Sequence, residues 1–599
     1  MAASTDSTAG DRTGVVLPVA RTPDLARAVE TVVPDVVLAR TDPALFGRTV
    51  LQLAQGWTTH PGEVGRAASS FAAVSARIGA AATGRALRGL AGADTTEAPD
   101  DATPMPVAKD GRFKDTTWTE NPAFWALRQE YLALVSFLDD LVGAAGLEPD
   151  SDERARMLMG LVGSVVSPSN LLPTNPAALK RAFETGGASV VAGLRNLLDD
   201  VATNNGRPRQ VDKTELRVGK ELAATPGKVV YRNRLMELVQ FDAQTDEVHE
   251  IPLLCSPPWI NKYYVMDLAP ERSLVEWAVQ HGHTVFMISY RDPDASMAST
   301  SFEDYLNFGD AEALDVVTEI TGSDKVNIMG LCLGGLMAAL LTARCAARGD
   351  ERINSLTLLN TMLDYSEVGP VSSFVSPEIV ERLERSMQQT GYLPAESMAT
   401  TFDLLRANDL IFNYIGPNWL EGKAPPAFDI LAWNTDSTRM PATMHASYLR
   451  HFYLENELAR GVLELDGEPI SLKAIHADTF IVAAENDHIA PWRTSFTSTE
   501  LIGGDVTFVL STAGHIAGVV NPPSPKAKHW VGTVGATGTD APGPDAWRAR
   551  STEVKGSWWE SWAEWIGERA GGMRTPPPTG SEAYPPIGDA PGDYVRGKA

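Results

Sequence analysis

The chain has 599 residues, of which 44% are hydrophobic and 21% are charged, so a globular protein with more than one domain is expected. Its 51 Lys and Arg residues and 76 Asp and Glu residues give a formal net charge of −25, which argues against a nucleic-acid-binding protein. The three cysteines, Cys255, Cys332 and Cys345, form no CxxC pair, so neither a disulfide framework nor a metal site is predicted. The polar N-terminus lacks a secretory signal and no apolar run is long enough to span a membrane, so we expect a cytoplasmic protein.

The first third of the chain is predicted to be mainly helical. Residues 1–20 are expected to be disordered, and residues 21–227 are assigned to a helical N-terminal domain. Within this domain, residues 93–111 or so are rich in Pro, Asp and Thr, which indicates a linker or long loop. The segment FWALRQEYLALVSFLDDLVGAAG, residues 124–146, places its apolar residues at helical spacing.

Between residues 228 and 570, strand-like segments alternate with helical ones. The strand candidates are KVVYRNRLMELVQFD (228–242), EIPLLCS (250–256), HTVFMISY (283–290), KVNIMG (325–330), INSLTLLNTML (353–363), FIVAAEND (480–487) and VTFVLSTAGH (506–515). This alternation predicts an α/β domain with a doubly wound, mostly parallel sheet.

Two segments depart from the alternation of strands and helices. Residues 364–475 are of mixed, aromatic-containing sequence between two strands, and we interpret them as a cap inserted over the site. An insertion that only packs or mediates dimerisation is the alternative. The Pro- and Gly-rich tail, residues 571–599, is expected to be extended.

The segment VNIMGLCLGG joins a predicted strand to a predicted helix at Cys332. Gly330, Cys332 and Gly334 have the spacing of the G-x-S-x-G nucleophile elbow, in which a sharp strand-to-helix turn exposes the nucleophile above the sheet. Here a cysteine stands in the place of the serine. A small buried side chain is the alternative for a free cysteine, and it is what we expect for Cys255 and Cys345, which lack this context.

Candidate partners for the nucleophile follow it in the chain. In α/β-hydrolases the order is nucleophile, acid, histidine, with the last two on loops after late strands. Asp487 follows FIVAAEN and His515 follows VTFVLSTAG, so the order Cys332, Asp487, His515 matches. His488 is the rival base, but neighbouring side chains at a turn are expected to point apart. For Asp487, the alternative is an N-cap of the helix predicted near Pro491.

An oxyanion hole needs two backbone N–H groups aimed at the developing negative charge. The first is expected from Leu333, the residue after the nucleophile. The second should come from the loop after IPLLCS, where Pro257 and Pro258 have no N–H to donate. Trp259 or Ile260 is therefore the predicted second donor.

Longer motifs of the chain resemble the poly(3-hydroxyalkanoate) synthases, from about Phe113 to the C-terminus. These motifs are PPWINKYYVMDL (257–268), GHTVFMISYRDPDAS (282–296), GLCLGG (330–335), NDLIFNYI (408–415), FDILAWNTD (428–436), ENDHIAPW (485–492) and GHIAGVVNPP (514–523). The long single chain with a helical N-terminal domain is most similar to the class that uses one type of subunit on short-chain substrates. The chain departs from the family pattern at Leu331, Leu333 and Leu336, which are expected to lie near the floor of the site.

The resemblance implies an α/β-hydrolase-type fold and an acyltransferase that polymerises (R)-3-hydroxyacyl-CoA, with 3-hydroxybutyryl-CoA as the expected monomer. Cys332 would carry the acyl group, His515 would deprotonate the thiol, and Asp487 would orient His515 or activate the 3-hydroxyl. CoA would be released and no separate cofactor is expected. The resemblance further implies a homodimer bound to the growing polyester chain and to the granule surface.

A thiol suits this chemistry because exchange with a CoA thioester makes another thioester of similar energy, and the acyl group stays activated. A cysteine hydrolase of the same fold, such as a thioesterase or a dienelactone hydrolase, is the first alternative, since fold alone does not determine function. A granule scaffold without catalysis is the second, and the complete set of Cys332, Asp487 and His515 argues against it.

Overall fold

A computed structural model describes residues 43–91, 104–106, 110–534 and 543–597 of the chain. The prediction for residues 1–20 lies outside the described residues, as does most of the predicted linker at 93–111. Within the described part of the chain, no helix combines the length and the apolar character needed to cross a membrane.

The described residues up to 203 are mainly helical, as predicted. Their helices are α1 (Pro43–Thr59), α2 (Pro61–Leu90), α3 (Thr117–Glu120), α4 (Pro122–Gly143), α5 (Pro149–Val165), α6 (Pro176–Glu184) and α7 (Ala188–Thr203). The start of α4 shows why these residues form helices. The side chain of Asn121 accepts hydrogen bonds from the backbone N–H groups of Ala123 and Phe124, and Pro122 occupies the first helical position.

The described residues that follow are built around one sheet of eleven strands. The strands are β1 (Gly227–Arg232), β2 (Met236–Phe241), β3 (Leu253–Ser256), β4 (Val285–Tyr290), β5 (Val326–Leu331), β6 (Ile353–Leu359), β7 (Asp478–Ala484), β8 (Val506–Ser511), β9 (Lys528–Val534), β10 (Thr552–Lys555) and β11 (Gly588–Asp589). Their spatial order is β10-β9-β8-β7-β6-β5-β3-β4-β2-β1-β11.

The six central strands, from β4 through β3, β5, β6 and β7 to β8, are parallel. The strands outside them pair antiparallel at both edges. Every residue of β4 and β5 is buried, which explains why these strands are continuous apolar runs in the sequence. The doubly wound, mostly parallel sheet predicted from the sequence is therefore confirmed.

Alternate residues along the strands serve two separate hydrophobic cores. Leu254 and Phe286 pack into the core on one face of the sheet, and Leu253 and Met287 pack into the core on the other. Twelve further helices accompany the described part of the sheet and its insertion. They are α8 (Leu274–Gln280), α9 (Phe302–Tyr305), α10 (Glu312–Thr321), α11 (Leu333–Ala347), α12 (Pro377–Thr390), α13 (Ala395–Leu405), α14 (Asp429–Asn434), α15 (Ala442–Tyr448), α16 (Trp492–Thr497), α17 (Ala517–Val520), α18 (Pro544–Arg550) and α19 (Trp558–Gly567).

Between β6 and β7 the chain leaves the sheet for residues 360–477, which we call the cap segment. It contains α12 to α15, and three of its turns are π-helical: Asn408–Phe412, Ile415–Leu420 and Leu449–Leu454. The cap segment spans the predicted insertion and its helices lie over the carboxyl edge of the sheet, around the cavity described below.

The N-terminal helices pack against the cap segment. The side-chain amide of Asn196 in α7 donates a hydrogen bond to the backbone oxygen of Asn418 at 2.9 Å. The indole N–H of Trp419 donates to Asp200 at 2.8 Å. At Gly193 the backbones approach so closely that a Cβ would overlap the carbonyl oxygen of Trp419. The backbone of helix α7 is therefore in direct contact with the backbone of the cap segment.

The C-terminal tail returns to the sheet. Residues 573–574 pair with 248–249, β11 pairs with β1, and Tyr594 and Val595 are buried. Just before the tail, α19 buries the rings of Trp558 and Trp562 in the core. These tryptophans therefore pack the fold together, and the hydrogen bond from the indole of Trp558 to the backbone oxygen of Gly518 at 2.7 Å anchors α19 next to the loop of His515.

Candidate active site

Cys332 lies in a strained turn between β5 and α11. Its φ of 53° and ψ of −113° are in a region that residues other than glycine rarely adopt. Two backbone hydrogen bonds hold it there: the Cys332 N–H donates to the Leu359 oxygen at 2.8 Å, and the Leu336 N–H donates to the Cys332 oxygen at 3.1 Å. The neighbouring glycines allow the close approach, because a Cβ on Gly334 would overlap the carbonyl oxygen of Ser256. The predicted elbow geometry is present.

Asp487 and His515 meet above the ends of β7 and β8. Nδ1 of His515 lies 2.6 Å from Oδ2 of Asp487, and both side chains are almost completely buried. The other carboxylate oxygen of Asp487 accepts the backbone N–H groups of Ile489 and Ala490, each at 2.8 Å. Asp487 thus holds the local turn and orients the imidazole at the same time. It is not the N-cap of α16, because that position is occupied by Pro491 and has no side-chain cap hydrogen bond.

The electrostatic surroundings of His515 favour its protonated form. Burial of the imidazole lowers its pKa, but the negative charges of Asp487 and Cys332, with a hydrogen bond to each, more than offset this. The net effect raises the pKa of His515 to about 10. These surroundings therefore favour an imidazolium beside Cys332, and an imidazolium stabilises a neighbouring thiolate.

His488, the rival base, lines the same cavity as His515. Its neighbour Asp487 does not line the cavity and is hydrogen-bonded to His515 instead. The environments of the two histidines differ. Burial lowers the pKa of His488 to about 4, and its Nδ1 is buried without a hydrogen-bond partner. Of the two histidines, only His515 is hydrogen-bonded to Asp487.

The oxyanion-hole candidates lie on two sides of Cys332. Leu333 is the first residue of α11, a position where the backbone N–H has no partner within the helix. Leu333 and Ile260 both line the cavity, whereas the ring of Trp259 packs edge-on against Phe302 and Tyr305. The structure thus places Ile260 at the cavity and Trp259 in the core beside it.

A cavity of about 820 Å³ lies between Cys332 and the cap segment. Leu331, Cys332, Leu333 and His515 line it, whereas Leu336 is buried in the core and does not line it. Thr49, Arg154 and Met157 of the N-terminal helices also line the cavity. Sequence reasoning missed this contribution, since nothing in the local pattern of α1 or α5 indicates that it faces a site more than 150 residues away.

Three tyrosines of the cap segment line the cavity together with Cys332. The rings of Tyr365 and Tyr453 are 5.0 Å apart, and the ring of Tyr448 is 5.6 Å from that of Tyr453. Burial, with a smaller effect of the charge of Cys332, raises the pKa of each phenol above its ordinary value, so all three stay neutral. The aromatic sequence HASYLRHFYLEN indicated a cap, but it did not indicate which rings face the nucleophile.

Two further polar residues support the site and were not predicted. The Asn360 side chain donates a hydrogen bond to the backbone oxygen of His515, and the Thr361 hydroxyl donates to the backbone oxygen of Cys332 at 3.3 Å. Both follow β6 directly, and that position at the carboxyl end of a central strand is the signal that could have identified them. Among the residues that the structure describes, no cluster of three or more His, Cys, Asp or Glu side chains could hold a metal ion.

Two family models match the chain. Residues 109–278 match the N-terminus of poly-beta-hydroxybutyrate polymerase (PhaC), and residues 259–522 match the alpha/beta hydrolase fold. Together these matches cover the α4 to α7 helices, the sheet through β8 and the cap segment.

Curated relatives match over most of the chain. The poly(3-hydroxyalkanoate) polymerase subunit PhaC of Rhizobium meliloti is 41% identical over 494 residues, which is 82% of this chain and 80% of the relative. The poly(3-hydroxyalkanoate) polymerase of Methylorubrum extorquens is 39% identical over 556 residues, 92% of this chain and 90% of the relative. Poly(3-hydroxyalkanoate) polymerase 1 of Ectopseudomonas oleovorans is 41% identical over 495 residues, 82% of this chain and 87% of the relative. The predicted resemblance is therefore confirmed, and the chain belongs to the poly(3-hydroxyalkanoate) polymerases, a family of acyltransferases.

Proposed function

We propose that this chain polymerises (R)-3-hydroxyacyl-CoA, with 3-hydroxybutyryl-CoA as its monomer, through a covalent acyl-cysteine on Cys332. The observation that supports this best is Cys332 at a nucleophile elbow, beneath a cap and in one cavity with His515, which is hydrogen-bonded to Asp487, in a chain of this family. As proposed, the reaction uses the activation of the CoA thioester itself and needs no separate cofactor.

In the loading step, the Cys332 thiolate attacks the thioester carbonyl carbon and the carbonyl oxygen becomes an oxyanion. The N–H groups of Leu333 and of Trp259 or Ile260 stabilise this charge, and the cavity position of Ile260 favours it as the second donor. The C–S bond to CoA then breaks and the acyl group remains on Cys332. The imidazolium of His515 gives its proton to the departing CoA thiolate.

In the transfer step, a 3-hydroxyl group attacks the acyl-cysteine. The hydroxyl proton passes to the now neutral His515, a C–O ester bond forms, the C–S bond breaks, and the Cys332 thiolate is restored. Asp487 is assigned the orienting role, because both of its oxygens already accept hydrogen bonds from His515 or from the backbone. Cover by the cap segment limits the access of water, which would hydrolyse the intermediate.

The test is to supply 3-hydroxybutyryl-CoA and to measure free CoA and insoluble polyester together. We expect both from the wild-type chain and neither from Cys332→Ala. Cys345→Ala is the matched control, because Cys345 is a buried thiol of α11 whose pKa is raised by burial to about 12, and it should retain activity. Release of CoA with only free 3-hydroxybutyrate would instead establish the thioesterase alternative.

The family also leads us to propose a cytoplasmic homodimer attached to polyester granules. Sedimentation of the purified chain with and without substrate tests the dimer. Fractionation of polyester-producing cells tests the location, and activity found only in the granule-free supernatant would contradict it.

A further inference from the structure

A histidine of the cap segment faces the cavity without a role in the steps above. His445 lies in α15, lines the cavity, and is only 2% exposed. Its Nδ1 is buried and has no hydrogen-bond partner. Its ring lies 6.2 Å from the ring of Tyr448, one turn further along the same helix, and Tyr448 lines the same cavity as Cys332. His445 and Tyr448 thus lie one turn apart on the face of α15 that lines the cavity.

A buried nitrogen without a partner is unfavourable, and such atoms are rare in folded proteins. Burial also lowers the pKa of His445 to about 4, so the ring is neutral at physiological pH. A neutral imidazole has one N–H donor and one acceptor nitrogen. It therefore suits a neutral oxygen group of a ligand in the cavity, and it does not suit the phosphates of CoA, which call for a cation.

A role as a second general base does not fit this environment. Asp487 orients and charges His515, whereas no carboxylate is hydrogen-bonded to His445 among the described residues, and its lowered pKa makes it a weak base. Packing alone would be served by an apolar side chain, since the Nδ1 of His445 contributes no hydrogen bond to the fold.

We propose that His445 is a substrate-binding residue that hydrogen-bonds a neutral oxygen of the 3-hydroxyacyl unit in the cavity. The oxygen is the 3-hydroxyl of the bound monomer or the ester carbonyl of the chain attached to Cys332. This inference rests on the proposed function and identifies where the cap segment recognises the acyl chain. His445 acts by binding and does not exchange a proton in the reaction.

The test compares His445→Phe, which keeps a ring but no polar atom, with His445→Gln, which keeps one donor and one acceptor group. Both variants are compared with the wild type for steady-state polymerisation of 3-hydroxybutyryl-CoA. Single-turnover CoA release is measured with 3-hydroxybutyryl-CoA and with butyryl-CoA, which has no hydroxyl. Thermal unfolding of each variant checks that the fold is retained.

We expect His445→Phe to raise KM for polymerisation about fivefold to tenfold with a small change in kcat, as for the loss of one neutral hydrogen bond, and His445→Gln to recover most of this loss. If the partner is the 3-hydroxyl, single-turnover CoA release by His445→Phe slows with 3-hydroxybutyryl-CoA and not with butyryl-CoA. If the partner is the ester carbonyl, both single-turnover rates are unchanged and only elongation and product mass fall.

The inference is overturned if His445→Phe matches the wild type in all three assays. It is equally overturned if CoA release slows to the same extent with butyryl-CoA and 3-hydroxybutyryl-CoA, which would indicate damage to the site as a whole. Failure of the wild-type chain to release CoA or to form polyester would instead contradict the proposed function.

Discussion

Cys332, His515 and Asp487 each owe their position or charge to a different kind of interaction. Cys332 obtains its position from backbone strain, with a φ of 53°. His515 obtains its charge from its neighbours, because Asp487 and Cys332 raise its pKa to about 10 despite the opposing effect of burial. Asp487 obtains its orientation from two backbone N–H groups. Each side chain is therefore held by different forces, and each can be tested separately.

Replacing Asp487 with Asn should slow the reaction of Cys332 with iodoacetamide at pH 7 by tenfold or more. The amide keeps the shape but removes the negative charge, so the pKa of His515 should fall and the imidazolium that stabilises the thiolate should be lost. The measurement is the alkylation rate of Cys332 from pH 5 to pH 10. Asp545→Asn, which removes an exposed carboxylate paired with Arg493, is the control for loss of charge alone. An unchanged pH profile in Asp487→Asn would refute this account.

At the scale of the elements, the turn from β5 to α11 requires close backbone contact with the end of β3. The elbow works because β3 lies next to β5, so the end of β3 meets the first turn of α11 at Gly334. The loop after β3, which carries Trp259 and Ile260, is held at the same place. The order of strands thus brings the proposed oxyanion donors to the nucleophile, although they are more than 70 residues apart in the chain.

Gly334→Ala should abolish polymerisation and lower the melting temperature. Its Cβ would overlap the backbone of Ser256 and lie 2.7 Å from the carbonyl carbon of Pro257, and backbone atoms cannot rotate away as a flexible side chain can. Overpacking of this kind costs about 1–3 kcal/mol. Polymerisation assays and thermal unfolding measure the two effects.

The control for Gly334→Ala is Gly79→Ala. Gly79 lies within α2 and a Cβ there would meet nothing within 4 Å. The substitution should leave activity unchanged and stabilise the helix by about 1 kcal/mol. Wild-type activity in Gly334→Ala would show that the elbow tolerates a larger separation from β3.

On the scale of the whole molecule, several buried carboxyl groups make the stability of the fold depend on pH. Burial raises the pKa of Asp310 to about 7, and the pKa values of Asp267 and Asp403 to about 6. Because these values exceed those of an unfolded chain, the folded state binds more protons. The contribution of these raised pKa values to the free energy of unfolding is complete below about pH 4. It is lost as the pH rises through 6 to 7 and the carboxyl groups ionise.

Asp310→Asn should therefore become more stable relative to the wild type as the pH rises from 4.5 to 8. Asp310 is fully buried and accepts a hydrogen bond from the hydroxyl of Tyr290 at 3.1 Å, which an Asn oxygen can also accept. Melting temperatures at one scan rate and constant ionic strength measure the difference. Glu351→Gln, which removes the carboxylate of an exposed ion pair with Lys325, should show no such trend. A difference that stays constant with pH would indicate that Asp310 is ionised in the fold.

The cap segment, the N-terminal helices and the sheet all contribute to one cavity. Thr49, Arg154 and Met157 come from the N-terminal helices, and His445 and Tyr448 come from α15. The hydrogen bond from Asn196 to Asn418 joins residues 222 positions apart in the chain. The size and lining of the cavity are thus properties of the assembled molecule and not of any one segment.

The sequence by itself determined the strand–helix alternation, the elbow around Cys332 and the order Cys332, Asp487, His515. These features depend on local spacing, apolar runs and turn residues, which a linear pattern contains. Only the tertiary structure decided that His488 lines the same cavity as His515, that Ile260 rather than Trp259 lines the cavity, and that α7 packs on the cap segment. Those choices depend on contacts between distant residues, such as Asn360 with His515 across 155 positions, and packing of this kind leaves no periodic signal in the chain.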